Sequence, residues 1–369
     1  VSGRPVAAGS RLESTRTVRD NYMSDRGLTY SDAGVDLDRA DAVKARLREL
    51  VESTRTEGVG GSYGSFGGRF RLGGAAELVA SADGVGTKVK VAVRAGRHDT
   101  VGEDLVNHSV NDVLAEGAEP LFFLDYFASG TLDAEVSVSV VEGVARGCRR
   151  NGCALLGGET AEMPDIYAPG EYDLAGFLVG RVTFPEVSER DLRAGDRLLA
   201  LASSGIHTNG FTFARRALFD RRGLGVDDPW PDQESEPGAS VGDVLLRVHR
   251  SYLECLRRPC REGRIQALAH VTGGGVAGNL RRVLPDGLDA VVELRGSPPP
   301  PVFRVLRNAG DASWEEMYRV FNMGIGMIAV TRPGDAGGVA EEIRAAGCPV
   351  EPCGELVEGE GRVRLSGVP

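Results

Sequence analysis

Leu-Val-Ala-Ser-Ala-Asp-Gly-Val-Gly-Thr-Lys, residues 78–88, is the stretch on which the reading of the fold turns. Leu78 to Ala82 reads as a strand, and it gives way at once to a carboxylate, two glycines and a Thr-Lys pair. Gly84 and Gly86 let backbone amides come close to an anion, Asp83 suits a metal ion, and Thr87 with Lys88 suits phosphate. The spacing is not that of a Walker loop, G-x-x-x-x-G-K-[ST]. Lys88 gains weight from scarcity: only Lys44, Lys88 and Lys90 stand against forty arginines, so a lysine marks a place where a compact point charge is wanted.

Working outward, the spacing predicts a helix over about 101–117 with Val106, Val110, Val113 and Gly117 on one face. Asp104, His108 and Asp112 recur at i, i+4 and i+8 on the other, with Asn111 beside them. Asp112 is placed to share Mg²⁺ with Asp83 if the helix end faces the loop, although a polar helix face is ordinarily wet. Upstream, Asp38 is a candidate cap for a helix with Val43, Leu47, Leu50 and Val51 on one stripe, followed by the glycine-rich stretch 58–74. Downstream, Pro120 to Phe127 reads as a strand buried on both faces, Asp133 caps a helix, and strands are expected at 153–156 and 172–182. Gly157-Gly158-Glu159 offers a further carboxylate after a glycine pair.

Composition shifts near Phe184-Pro185, and a second alternation begins at strand 197–202. Helices near 210–220, 241–257 and 335–346 alternate there with strands near 265–270, 288–294, 324–331 and 361–365. Ser203-Ser204-Gly205-Ile206-His207-Thr208-Asn209-Gly210 lies between strand and helix, where His207 is the best general acid or base. His270-Val271-Thr272-Gly273-Gly274-Gly275 repeats the theme. Two α/β domains result, 28–185 and 186–369, preceded by a polar tail, 1–27. Residues 223–240 read as a solvated excursion and Pro298–Pro301 as a rigid connector.

The chain has 369 residues, and 43 basic against 53 acidic residues give a net charge of −10. An acidic chain argues against a nucleic-acid binder. Asp125 interrupts the most apolar window, so no membrane span is expected, and a cytoplasmic location follows. The six cysteines fall in pairs five apart, too wide for C-x-x-C metal spacing, and read as small buried hydrophobes. Phosphate-suited loops, acids suited to Mg²⁺ and no Ser-His-Asp or H-E-x-x-H pattern point to ATP-dependent activation.

Taken together, Y-S-D-A-G-V-D (30–36), D-G-V-G-T-K (83–88), V-N-D (110–112), G-A-E-P-L-F-F-L-D-Y (117–126), G-G-E-T-A-E-M-P (157–164), H-T-N-G (207–210), T-G-G-G (272–275) and F-N-M-G-I-G-M (321–327) resemble the aminoimidazole ribonucleotide synthetase family. The resemblance spans about residues 28–366. It implies a two-domain α/β (α+β) fold, with strands of the N-terminal domain forming a barrel across a homodimer. It further implies ATP-dependent closure of formylglycinamidine ribonucleotide to aminoimidazole ribonucleotide through a phosphorylated formamide oxygen.

Carried over, Asp83, Asp112 and Glu159 would hold Mg²⁺, and Lys88, Thr87, Asn111 and the backbone at Gly84 and Gly86 would hold ATP phosphates. Gly61, Gly64 and Gly67 would fold over the nucleotide, while His207, Asn209, His270 and Thr272 would face the substrate. Lys88, His207 and Asp112 are the expected catalytic set. The sequence departs from the family pattern at Ser31, His108, Ser109, Val248-His249, Gly278 and Arg281. These departures keep open a relative that activates another amide in a specialised pathway.

Overall fold

The computed structural model describes residues 27–74, 76–185, 187, 190–294 and 299–369; the expected tail lies outside them, apart from Gly27, as does Pro298 of the proline run. The described residues form two six-stranded mixed sheets, each with helices against it. The first sheet runs β1 (Val59–Gly60), β2 (Gly68–Arg71), β3 (Glu77–Gly84), β6 (Tyr172–Val182), β4 (Ala118–Ser129), β5 (Ala154–Glu162). All its pairs are antiparallel except β4 with β5. The second runs β12 (Val363–Ser366), β9 (Leu288–Glu293), β11 (Val350–Glu358), β7 (Arg197–Ala202), β10 (Ile325–Thr331), β8 (Ile265–His270).

Helices α3 (Asp99–Ala115) and α4 (Ala134–Asn151) cover one face of the first sheet. Asp133 caps α4 as expected, accepting from the amides of Glu135 and Val136. The crossing of α3 and α4 is close because Gly102 and Gly143 lie at the contact: a Cβ on Gly143 would sit 1.9 Å from the Asp99 carbonyl oxygen. The opposite face of the sheet is open. Leu124 and Phe177, paired across β4 and β6, are 37% and 48% exposed, and Leu156 on β5 is 63% exposed. Strand β4 is therefore buried on one face only, which corrects the expectation drawn from its continuous apolar run.

Several other expectations change. Helix α1 (Leu37–Glu52) is capped by Asp36 rather than Asp38, and its apolar stripe is exposed instead of packed. The helix expected over 241–257 is two, α6 (Val241–Leu245) and α7 (Leu253–Arg261), separated by an extended link that carries His249. The excursion 223–240 is anchored by Trp230, which is fully buried. The helix expected over 210–220 starts as α5 (Phe211–Arg215) and continues as a π-helical turn. Strand β11 had no counterpart in the sequence reading. All six cysteines are free; Cys153 is partly exposed and the others buried.

The polar face of α3 is buried, not wet, along with the rest of that helix. The link between α6 and α7 supplies the reason. Asp104 Oδ1 accepts from the His249 amide at 2.7 Å, and Asn107 Nδ2 donates to the His249 carbonyl at 2.7 Å. Asn111 Nδ2 donates to the Arg250 carbonyl at 2.8 Å, and its Oδ1 accepts from the Tyr252 amide at 2.9 Å. A run of side chains at i, i+3 and i+7 on a first-domain helix thus satisfies the main chain of a second-domain link, and buried polar groups on both sides find partners.

Candidate active site

A cavity of about 1180 Å³ opens between the two sheets. Its walls include the glycine loop with Gly64 and Gly67, Asp83 at the end of β3, His108 and Asp112 on α3, and Asn209, Thr272 and Arg282 from the second domain. A pocket for one small ligand occupies ~300–1,000 Å³, so this one has room for more than one reactant. Arg282 closes the loop over it: its guanidinium donates to the carbonyls of Gly64 (3.1 Å) and Ser65 (3.0 Å) and lies 4.0 Å over the Phe66 ring.

The β3 terminus aims Asp83 at α3. Asp83 hydrogen-bonds Ser81 Oγ at 3.0 Å, and its Oδ1 lies 3.4 Å from His108 Nε2. Asp112, one turn along α3, has Oδ2 at 3.8 Å from the same nitrogen and Oδ1 at 2.7 Å from His270 Nδ1. Burial and the adjacent Asp83 push the Asp112 carboxyl well above the usual carboxylate range. Burial also acts to raise Asp83, but His108 and hydrogen bonds from Asp112 and Ser81 outweigh it and hold Asp83 low. Two carboxyls set this close disfavour a second negative charge, a cost that a bound divalent cation removes. This donor set fits Mg²⁺ or another hard cation.

Behind this pair, four of the chain's five histidines converge. His249 Nε2 lies 3.1 Å from His270 Nε2, and Thr208 Oγ1 bridges His249 Nδ1 (3.3 Å) and His108 Nδ1 (2.8 Å). His207 stacks on His249 with ring centroids 3.9 Å apart, takes the Ser204 amide on Nε2, and has positive φ, 58°. Burial, reinforced by the neighbouring histidines, pulls His207 and His249 well below the ordinary imidazole value. Burial takes His270 down to about 3 against the opposing pull of Asp83. All three are neutral at pH 7.

The sequence-derived set divides. Asp83, Asp112, Gly64, Gly67, Asn209 and Thr272 line the cavity; Gly61 sits in the same loop without lining it. Lys88 is fully buried, paired with Asp104 at 2.7 Å and donating to the Arg247 carbonyl at 2.7 Å. Its ammonium is committed to that pair rather than to the cavity wall. Thr87 bonds Thr212 at 2.8 Å, and Asn111 is spent on the link. Gly84 ends β3, and Gly86, with φ of 65°, opens the short 3₁₀ turn before α2 (Val89–Ala95). Glu159 stands exposed on β5 and does not line this cavity. His207 and His270 lie behind the wall. His249 was read only as a departure from the family pattern, and Thr208 and Arg282 were given no role; histidine rarity was a further signal for the first.

Residues 65–182 match the model of the AIR synthase related protein N-terminal domain, and residues 193–366 that of its C-terminal domain. The phosphoribosylformylglycinamidine cyclo-ligase of Oleidesulfovibrio alaskensis is 49% identical over 326 residues, covering 87% of this chain and 92% of that protein. Its counterpart in Nitratidesulfovibrio vulgaris is 48% identical over 314 residues, covering 84% and 88%. Among solved structures, a Thermus thermophilus protein superposes with TM-score 0.59 at 21% identity, over 89% of this chain and 97% of that one.

Proposed function

This chain belongs to the phosphoribosylformylglycinamidine cyclo-ligase family, and on that premise we propose that it closes formylglycinamidine ribonucleotide to 5-aminoimidazole ribonucleotide, consuming ATP and releasing ADP and phosphate. The observation that carries this reading is the cavity that sets the Asp83–Asp112 pair opposite Asn209 and Thr272 beneath the glycine loop. An amide oxygen leaves poorly until it is phosphorylated. ATP phosphorylates the formamide oxygen, the ring-forming nitrogen attacks the activated carbon, and the C–O bond to phosphate breaks as the imidazole closes.

The protein's part is positioning and charge neutralisation. Asp83 and Asp112 hold the cation, which neutralises charge on the transferring phosphoryl group when bound. The loop carrying Gly61, Gly64 and Gly67 covers the phosphates, held down by Arg282. Asn209 and Thr272 face the ribonucleotide. His207 and His270 act as positioning residues, the first by packing on His249 and the second by orienting Asp112. Lys88 acts through Asp104 by fixing α3 to the second domain.

The open face of the first sheet supports the homodimer, since an apolar patch built from Leu124, Phe177 and Leu156 on a regular sheet is a surface for burial. The domain division at about 185 places one sheet on either side. No helix among the described residues is long and apolar enough to cross a membrane.

The test is a coupled assay with purified protein, ATP, a divalent cation and formylglycinamidine ribonucleotide, following phosphate release and the diazotisable aminoimidazole. Equimolar product and phosphate are expected. Nucleotide binding without that product would transfer the activity to another amide substrate, the reading that His108 and His249 inside the site would then favour.

A further inference from the structure

The protons of the buried histidine cluster can be assigned from its hydrogen bonds alone, starting at Asp112. When Asp112 is ionised, as a bound cation requires, its Oδ1 accepts from His270 Nδ1 and the neutral His270 carries a bare lone pair on Nε2. His249 Nε2 is 3.1 Å away; two bare nitrogens at that distance repel, so His249 is protonated on Nε2 and donates to His270. Asn111 Nδ2 also lies 3.2 Å from His249 Nε2, but a hydrogen bond given there would leave the two bare nitrogens facing each other. Asn111 has the Arg250 carbonyl as its acceptor instead. His249 Nδ1 is then an acceptor and takes the Thr208 hydroxyl hydrogen. The Thr208 oxygen in turn accepts from His108 Nδ1.

The relay therefore ends on His108 Nε2 with a lone pair directed at two carboxylate oxygens, those of Asp83 at 3.4 Å and Asp112 at 3.8 Å. With both acids ionised, as a bound cation holds them, three acceptors meet with no hydrogen between them and form a cation site. Adjacent donors held ~2.1 Å from an octahedral ion stand ~3 Å apart, so only a small contraction is needed. The relay starts on one ligand, Asp112, and returns to another, His108, and such outer hydrogen bonds fix a ligating imidazole's tautomer.

We propose that His108 Nε2 is a third ligand beside Asp83 and Asp112, and that this nitrogen makes the site select a first-row divalent cation such as Mn²⁺ over Mg²⁺. The proposal rests on the cation reading of the Asp83–Asp112 pair given above. Imidazole suits first-row transition cations, whereas Mg²⁺ takes oxygen donors and keeps its waters.

The experiment uses the full chain stripped of metal, titrated with MnCl₂ and with MgCl₂, together with pulsed electron paramagnetic resonance of bound Mn²⁺. The wild type is expected to bind Mn²⁺ at least ~10-fold more tightly than Mg²⁺ and to show modulation from one directly bound ¹⁴N. His108→Met should abolish the modulation and weaken Mn²⁺ by ~10-fold or more while changing Mg²⁺ little; Thr208→Val, which cuts the relay and spares the ligand, should weaken Mn²⁺ within ~10–100-fold. The wild-type spectrum decides even if a variant fails to fold. Bound Mn²⁺ without nitrogen modulation, equal affinities for the two metals, or a His108 side chain that titrates as an imidazolium in the presence of Mn²⁺ would overturn it. Cyclo-ligase turnover is measured in parallel: turnover without modulation removes only this inference, and modulation without turnover removes only the proposed reaction.

Discussion

The two sheets have equal strand counts and opposite surroundings. In the second, β8 and β10 are buried almost residue by residue, with Ile265, Ala267, Leu268 and Ala269 fully covered. In the first, β6 alternates buried Leu174 and Leu178 with exposed Phe177, and nothing among the described residues covers the outer side. The second sheet is finished within one chain; the first is half a layer waiting for another. The cavity lies between them, with its acids on the unfinished side and its polar substrate wall on the finished one.

Substitutions can break that division of labour, beginning with the acids. Asp83→Ala removes a side chain from the end of β3 without touching either core. Turnover should fall by ~10³-fold or more, since neutralisation of the transferring phosphoryl group is the main catalytic contribution. The melting temperature should stay within a few degrees by calorimetry.

Lys88→Met tests the joint between the halves. It leaves Asp104 buried without its cation, a loss of ~3–5 kcal/mol in stability to urea. Adding Asp104→Asn, which removes the orphaned charge and keeps an acceptor for the His249 amide, should recover most of that. Wild-type stability in Lys88→Met, with turnover abolished, would restore the phosphate role first expected for this lysine.

Leu124→Arg with Phe177→Arg addresses the open sheet. Sedimentation velocity should show the dimer replaced by monomer, and the intrinsic unfolding of the monomer should change by less than ~1 kcal/mol because both side chains are already partly in water in the single chain. A monomeric wild type would show instead that the first sheet tolerates an open apolar face.

The smallest effect belongs to the edge of the finished sheet. Asp289 is held at about 2 by the amides of Arg362 and Glu360, with Arg364 adding a side-chain bond. A carboxyl held low stabilises the fold above its ordinary value near 4 and loses that contribution as pH falls toward 2. Asp289→Asn should lower the thermal midpoint at pH 7, with the gap to wild type closing between pH 4 and 2.

Legibility in the sequence followed the same division. Strands 172–182, 197–202 and 265–270 could be read to the residue, being apolar runs with clear ends. Strand β11 escaped because Pro352 and Gly354 lie within it; the register shifts between them, a place in a sheet where such residues are tolerated. Asp83, Asp112, Asn209 and Thr272 could be found because each stands in or beside a glycine loop or on a helix face of fixed period. The role of His249 could not, since its place depends on the link being drawn onto α3 by Asp104, Asn107 and Asn111, contacts 139–145 residues apart. Lys88 was legible as unusual, but scarcity does not tell whether a charge faces a ligand or another residue.

The way α3 grips the link has a consequence for how this protein tolerates change over time. Lys88, Asp104, Asn107 and Asn111 address the carbonyl or amide groups of residues 247, 249, 250 and 252, not their side chains. Main-chain groups are the same whatever residue bears them. The hold of α3 on the link therefore does not depend on which side chains the link carries, so a residue such as His249 can stand beside the reaction centre without dismantling the frame. The burden of constancy falls on one helix and one lysine, and chemical novelty can accumulate on the strand of chain they hold.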